Sequence, residues 1–157
     1  MKVYYVLLGF FLLSSCSLMN KNEQAQELKR DKSFQSITVG ERGGFIGKAN
    51  FYRLLDDGQY LQVNDKGNWD TIGRVKEEQL QQAAMMLKVV SNLEVKSLGD
   101  GDGSTLEYKV EANLKPSGYV YYLWPAGRKK VPQELINFYG FILQINPRLS
   151  DTEGLGR

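Results

Sequence analysis

Histidine is absent from the 157-residue chain, and cysteine occurs only once, as Cys16. Histidine is the commonest general base and the commonest metal ligand in proteins. Its absence excludes Ser-His-Asp and Cys-His catalytic systems, as well as zinc sites of the usual type. A single cysteine also excludes a disulfide within the chain. We therefore expect a protein that is not an enzyme and that holds no metal and no other cofactor.

Excess charge is also nearly absent, because 20 basic residues face 18 acidic ones. Nucleic-acid-binding domains carry a basic stripe or face that neutralises phosphates. The nearly balanced charge of this chain predicts no nucleic-acid partner.

Long apolar runs are rare, and the clearest one lies at the start of the chain. Val3 to Leu13 follow the positive Lys2 and have the length of a signal-peptide core. A membrane-spanning helix would need roughly 20 apolar residues. The run ends in Leu13-Ser14-Ser15-Cys16, which resembles the bacterial lipobox. That resemblance implies cleavage before Cys16 and acylation of this cysteine, with residues 1–15 as the lipoprotein signal peptide. The alternative is an ordinary secretory signal with an incidental cysteine.

The segment after Cys16 is polar and charged up to Ser33, so it cannot bury enough apolar surface to fold. We interpret residues 16–33 as the lipidated cysteine and a polar tether. More than one acyl chain makes membrane anchoring stable. Serine rather than aspartate follows the cysteine, which favours the outer membrane. The expected location is therefore the bacterial cell envelope, with the lipid as the contact to the membrane.

Residues 34–147 carry the pattern of a single folded domain. Three short runs rich in aromatic and β-branched residues predict a meander of strands, with Asp56-Asp57-Gly58 as the turn between the last two. The runs are SFQSITVG, FIGKANFYRLL and QYLQVN. Residues 64–73 are polar and predict a connection to a helix.

The second half of the domain predicts a helix, a hairpin and another helix. The first helix has an apolar stripe, made of Leu80, Ala83, Ala84, Leu87 and Val90. Residues 104–114 alternate between apolar and polar, a turn follows at Lys115 to Gly118, and YVYYLW returns as the partner strand. Pro132 opens the last helix and Pro147 stops it, leaving 148–157 as a disordered tail. The predicted class is α+β: an antiparallel sheet of four to five strands, with two helices packed on one face.

The stretch Glu41 to Gly47 reads ERGGFIG and is the densest glycine cluster in the chain. A phosphate-binding Walker loop would need glycine where Arg42 stands and serine or threonine where Ala49 stands. The G-x-G-x-x-G dinucleotide fingerprint is absent as well. We therefore predict a turn or bulge between strands.

The predicted last strand carries aromatic residues at both odd and even positions, namely Tyr119, Tyr121, Tyr122 and Trp124. Aromatic side chains on both faces of one strand cannot all enter one core. Tyr122 and Trp124 are therefore candidates for partner binding, since rigid aromatic residues are typical interface hot spots. The alternative is that the tether or loops cover the second face.

With these elements in place, the layout resembles emfourin, a family of small bacterial inhibitors of thermolysin-like metallopeptidases. The resemblance rests on the G-G-F-x-G signature after the first strand, here Gly43-Gly44-Phe45-Ile46-Gly47. It also rests on the order of helix, hairpin and proline-opened final helix, from Phe34 to Leu143. It implies an α+β inhibitor fold with a peptidase as partner. The lipobox, the tether and a longer middle loop depart from the family.

Three functions follow from these features. The first is a membrane-anchored, non-enzymatic binding domain resembling a peptidase inhibitor, whose partner-facing residues are those of the glycine cluster and the aromatic strand. These residues are Arg42, Gly43, Gly44, Phe45, Gly47, Tyr122 and Trp124. The second is a structural or assembly lipoprotein that binds another envelope component through the aromatic hairpin. The third is an enzyme using Asp56, Asp57 and Asp70, which nothing in the sequence places in one pocket.

Overall fold

The computed structural model describes residues 33–43, 49–94, 98 and 105–150, all of which belong to one compact unit, Lys32–Arg157. The predicted signal peptide and Cys16 lie outside the described residues, as does the predicted tether except for Ser33. None of the helices in the described ranges is long and apolar enough to cross a membrane.

The described residues form one antiparallel sheet of six strands, in the spatial order β4-β3-β2-β1-β5-β6, together with three helices. The strands are β1 Phe34–Arg42, β2 Asn50–Leu55, β3 Gln59–Val63, β4 Trp69–Arg74, β5 Glu107–Leu114 and β6 Tyr119–Pro125. The helices are α1 Glu77–Ser91, α2 Gln133–Gln144 and α3 Pro147–Ser150. The α+β class is thus confirmed, but the predicted four to five strands and two helices are too few.

The additional strand, β4, lies in the region predicted to be a polar connection. Asn64 organises the turn before it, since its side-chain oxygen accepts hydrogen bonds from the backbone N–H groups of Lys66 and Asn68. The chain then reverses and Trp69–Arg74 pairs with β3. None of its residues is buried and a register shift interrupts its pairing with β3, so β4 lacks the regular apolar alternation by which half-buried strands are recognised.

One face of the sheet packs against α1 and α2 and forms the core. Ile37 on the central strand β1 pairs with Leu54 on one side and Ala112 on the other, and all three are fully buried. The apolar stripe of α1 meets this face: its buried residues are Leu80, Ala83, Leu87 and Val90, while Ala84 is half-buried. The predicted stripe is therefore confirmed.

Two tyrosines of the sheet bind the C-terminal turns of the two long helices. The Tyr60 hydroxyl donates to the Ile142 carbonyl of α2 (2.7 Å), and the Tyr122 hydroxyl donates to the Val90 carbonyl of α1 (2.9 Å). The last carbonyls of a helix have no partner within the helix and need an outside donor. Burial raises the pKa of both phenols, so both remain protonated donors at neutral pH.

The chain beyond α2 remains ordered further than predicted. Pro132 lies just before α2, and its carbonyl accepts hydrogen bonds from Leu135 and Ile136. Pro147 does not end the structure, because it begins α3, which packs against β4. A Cβ atom on Gly73 would lie 2.6 Å from the Pro147 Cβ, so glycine permits this close contact. The predicted disordered tail is therefore wrong for residues 148–150, and residues 151–157 lie outside the described part.

Candidate binding surface

The side of the sheet that faces away from the helices carries aromatic, aliphatic and charged side chains. In the described part of the chain no helix lies on this side, which we call the open face. Successive side chains of a strand point to opposite faces of the sheet, so the residues that alternate with the core residues point to the open face. Its central members are Phe51, Arg53, Leu61, Trp69, Lys109, Glu111, Tyr119 and Tyr121.

Two cations of the open face lie over its aromatic rings. The Arg53 guanidinium carbon is 4.1 Å from the centre of the Trp69 ring. The Lys109 ammonium nitrogen lies between two rings, 5.3 Å from the centre of Phe51 and 5.8 Å from that of Tyr121. A cation within about 6 Å of a ring face is attracted by its quadrupole. These contacts hold long, flexible side chains in defined places on the surface.

Gly40 lies in the middle of the open face and makes room for this arrangement. It pairs with Phe51 on β2 and with Lys109 on β5. A Cβ atom at this position would lie 2.2 Å from the Asn50 carbonyl oxygen and 2.6 Å from Cδ1 of the Phe51 ring. Only a residue without a side chain therefore lets the Phe51 ring lie over β1 and reach the Lys109 ammonium group.

The most exposed aromatic residues of the face are Tyr119 and Tyr121. They are 60% and 45% exposed, and their rings stack with centres 6.2 Å apart and planes inclined by 12°. Partial burial, with a smaller contribution from Glu111, raises the pKa of Tyr119 above the usual range, in which a phenol is already protonated at neutral pH, so its hydroxyl is a hydrogen-bond donor. Such rigid rings with a polar end are typical of protein interfaces.

The other two aromatic residues of this strand point into the core. Tyr122 is 9% exposed and Trp124 is 5% exposed. Trp124 pairs with Tyr108 and meets the edge of the Tyr139 ring, with ring centres 5.7 Å apart. The prediction that Tyr122 and Trp124 face a partner is therefore wrong, because the register with β5 turns them toward the helices.

The glycine cluster is only partly described. Arg42, at the end of β1, is exposed, and its Nε donates to Glu107 Oε2 of β5 at 2.8 Å. Gly43 follows it and is half-buried, whereas Gly44, Phe45 and Gly47 lie outside the described residues. Arg42 and Gly43 thus stand at one end of the sheet, and partner binding by the cluster stays a prediction.

The three carboxylates considered for catalysis are separately engaged. Asp56 forms an ion pair with Lys115, and Asp57 accepts hydrogen bonds from Gln59. Asp70 accepts a hydrogen bond from Asn64 at 3.0 Å. The described ranges contain no group of three or more acidic or cysteine side chains placed to hold a metal ion.

Three clefts lie near the start of β2 and the turn before β4. Asn50 lines two of them: one of about 240 Å³, which includes Glu41 and Tyr139, and one of about 690 Å³, which includes Asp65. Each of these two has one carboxylate in its described lining. The third, also about 240 Å³, is lined by both Asp65 and Asp70, which are exposed. None of these three clefts therefore combines two carboxylates with the apolar surroundings that raise the pKa of one member of an acid–base pair.

The sequence matches no protein-family model and no curated protein. The resemblance to emfourin accordingly remains a hypothesis that rests on one short motif and the order of elements.

Proposed function

We propose that this chain is a lipid-anchored, non-enzymatic binding protein of the bacterial cell envelope, held in the outer membrane. Its α+β domain recognises a protein partner through the open face of the sheet. The observation that carries the proposal is the exposed pair Tyr119 and Tyr121, beside the cation–ring contacts of Arg53 and Lys109.

The chemistry of the open face suits a protein partner. Tyrosine, tryptophan and arginine are the residues that contribute most to binding energy at protein interfaces. Arg53 is already held over Trp69, and its Nε donates to the Thr38 hydroxyl at 3.0 Å. Preorganised side chains lose less entropy when a partner docks. The open face therefore has the composition and the order of an interface.

Two kinds of partner suit this role. An exported metallopeptidase follows from the emfourin resemblance, and the shared motif Gly43–Gly47 after β1 is our own candidate for the contact with it. A structural or assembly component of the envelope is the alternative, and it follows from the exposed aromatic residues of the β5–β6 hairpin. The exposure of Tyr119 and Tyr121 favours a contact made by the sheet itself.

The anchoring part of the proposal is tested on the full chain in a Gram-negative host. Metabolic labelling with a palmitate analogue should label the wild-type protein in the outer-membrane fraction. Cys16→Ser should lose both the label and the membrane association. A control that combines Cys16→Ser with Ser33→Cys should not regain them, because its cysteine lies away from the lipobox. Label that persists in Cys16→Ser would contradict lipidation.

The binding part is tested by cross-linking the full-length protein in intact membranes and identifying what is recovered. Trp69→Ala and Tyr121→Ala should each reduce the amount of the specific partner that is recovered by cross-linking. Met85→Ser is the matched control, since Met85 is an exposed apolar residue on α1, on the opposite side of the sheet. Equal recovery by all variants would contradict binding through the open face.

The inhibitor version has a separate test. The full-length protein in detergent is titrated against exported thermolysin-like metallopeptidases, with Arg42→Ala as the variant within the glycine cluster. Inhibition that this variant weakens would support the resemblance. If no peptidase is inhibited, the hypothesis of a peptidase partner fails, and an envelope component remains as the proposed partner.

A further inference from the structure

The outer edge of β6 presents unpaired backbone groups in the described part of the chain. β6 is the last strand of the sheet, and its seven residues pair with β5 without a register shift. Hydrogen bonds from Leu114 N–H to Gly118 O and from Ala126 N–H to Leu106 O identify the even-numbered residues of β6 as those bonded to β5. The N–H and C=O groups of Tyr119 and Tyr121 therefore point outward.

The two edges of the sheet differ in how they are protected. β4 carries charged residues, Asp70 and Arg74, has a register shift in its pairing with β3, and packs against α3. In the part of the chain that the structure describes, β6 has none of these devices: YVYYLWP contains no charged residue, and its proline is the last residue of the strand. Natural edge strands are normally blunted by charges, bulges, proline or covering elements. An unprotected edge beside exposed tyrosines is suited to accept another strand.

A basic turn follows β6 directly. The Arg128 N–H donates to the Pro125 carbonyl (3.3 Å) and closes the turn, which leaves Arg128, Lys129 and Lys130 exposed at the end of the strand. Other cations of the sheet are paired, such as Arg42 with Glu107 and Lys109 with Glu111. A strand laid along β6 would bring one of its ends beside three solvated positive charges. Acidic residues at that end would be complementary in charge.

We propose that the outer edge of β6 binds an extended peptide segment of the partner by strand addition. Acidic residues at one end of this segment lie beside Arg128–Lys130. The added strand bonds to the outward backbone groups of Tyr119 and Tyr121, and alternate side chains pack on the two tyrosine rings of the open face. This inference rests on the proposed binding role and adds to it the class of partner and the mode of contact.

The probe is a random library of short displayed peptides, as long as β6 and selected on the full-length protein in detergent. Selected peptides should alternate β-branched or aromatic residues and carry acidic residues at one end. Their binding is then measured by fluorescence anisotropy. Methylation of alternate backbone nitrogens in a selected peptide should abolish binding, because it removes the donors of the added strand.

Two substitutions at one position separate the backbone from the side chain. Tyr121→Pro removes the outward N–H without removing a bond to β5, whereas Tyr121→Thr removes the ring and keeps the N–H. We expect Tyr121→Pro to weaken binding at least about tenfold more than Tyr121→Thr, equivalent to about 1.4 kcal/mol. Thr71→Pro on the other edge is the matched control and should bind like the wild type. Equal affinities of the two Tyr121 variants would overturn strand addition.

Charge reversal of the turn covers the case in which Tyr121→Pro does not fold. Because these side chains are exposed, Arg128→Glu, Lys129→Glu and Lys130→Glu together should leave the fold intact and change the selected peptides from acidic to basic ends. Selection of the same acidic peptides by this variant would overturn the proposal that the partner segment has an acidic end.

Two other results would also overturn the proposal. Dimers that Tyr121→Pro dissociates in sedimentation would assign the edge to a second copy of the chain. Binding to anionic vesicles through the basic turn, with no peptide selected, would assign that turn to a membrane surface. In either case, a cross-linked partner that Trp69→Ala no longer recovers would still support binding through the open face. Failure of strand addition can therefore be distinguished from failure of the proposed function.

Discussion

Removal of one buried hydroxyl group, in Tyr60→Phe, tests whether the sheet stabilises the end of α2. The Asn146 N–H would continue the helix by bonding to the Ile142 carbonyl, but it bonds to Leu143 instead (3.2 Å). The Tyr60 hydroxyl supplies a donor to Ile142 from a fully buried side chain. Without it, the buried carbonyl loses that donor. We expect the free energy of unfolding to fall by about 1–3 kcal/mol.

The same change at the other helix should cost less. The Val90 carbonyl of α1 accepts from the Tyr122 hydroxyl, but it also accepts from the Leu93 N–H at 3.1 Å. In Tyr122→Phe the carbonyl keeps this second donor, so only a net hydrogen bond is lost. That loss corresponds to about 0.5–1.5 kcal/mol. The structure therefore predicts an order of effects, with Tyr60→Phe the larger.

The order is measured by urea unfolding at equilibrium, followed by the fluorescence of Trp69 and the buried Trp124. The slope of the free energy of unfolding against urea concentration should be unchanged, since neither variant alters the surface exposed on unfolding. Tyr119→Phe, which removes an exposed hydroxyl, is the control and should stay within about 0.5 kcal/mol of the wild type. An effect of Tyr60→Phe no larger than that of Tyr122→Phe would refute the assignment of Tyr60 as the donor that Ile142 requires.

Three further predictions concern the sheet, the turn and the pH dependence of stability. Gly40→Ala should destabilise the protein by at least about 1–3 kcal/mol in the same assay, because its Cβ would lie 2.2 Å from the Asn50 oxygen. Asn64→Ala should cost about 1 kcal/mol, because the β3–β4 turn loses the two hydrogen bonds that the Asn64 side-chain oxygen accepts and the one that its amide group donates to Asp70. Burial raises the pKa of Tyr60 and Tyr139 above that of the unfolded chain, so stability should be constant toward neutral pH and fall above about pH 10. In Tyr60→Phe the free energy of unfolding should therefore fall less steeply with pH in the alkaline range. An unchanged slope would contradict the assignment of this pH dependence to Tyr60.

The parts of the fold that the sequence predicts are those in which one face is buried. The stripe of α1 and the alternation of residues 106–114 arise because each element has one side in the core and one in water. The turn at Asp56-Asp57-Gly58 follows from local preferences alone. All of these are recognisable without knowing what packs against them.

The strand β4 has no such signature. Its residues Trp69, Asp70 and Thr71 are exposed or half-buried, and a register shift interrupts its pairing with β3. The strand β4 is brought back along β3 by a turn that the side-chain hydrogen bonds of Asn64 build. The short helix α3 is likewise specified by a tertiary contact, that of Pro147 with Gly73. Long-range contacts of this kind leave little local pattern.

A shift of one residue in the register between β5 and β6 decides which aromatic residues of β6 reach the open face. Had all four residues from Lys115 to Gly118 formed the loop, Leu114 would face Tyr119, and Tyr121 would pack under the helices. In the structure the Leu114 N–H bonds to the Gly118 carbonyl (2.9 Å), so the loop is one residue shorter and Val110 pairs with Tyr122. A shift by one residue moves every side chain of a strand to the opposite face. Alternation predicts that Tyr121 and Tyr122 lie on opposite faces, but only the closing pair of the turn decides which tyrosine binds a helix and which is left for a partner.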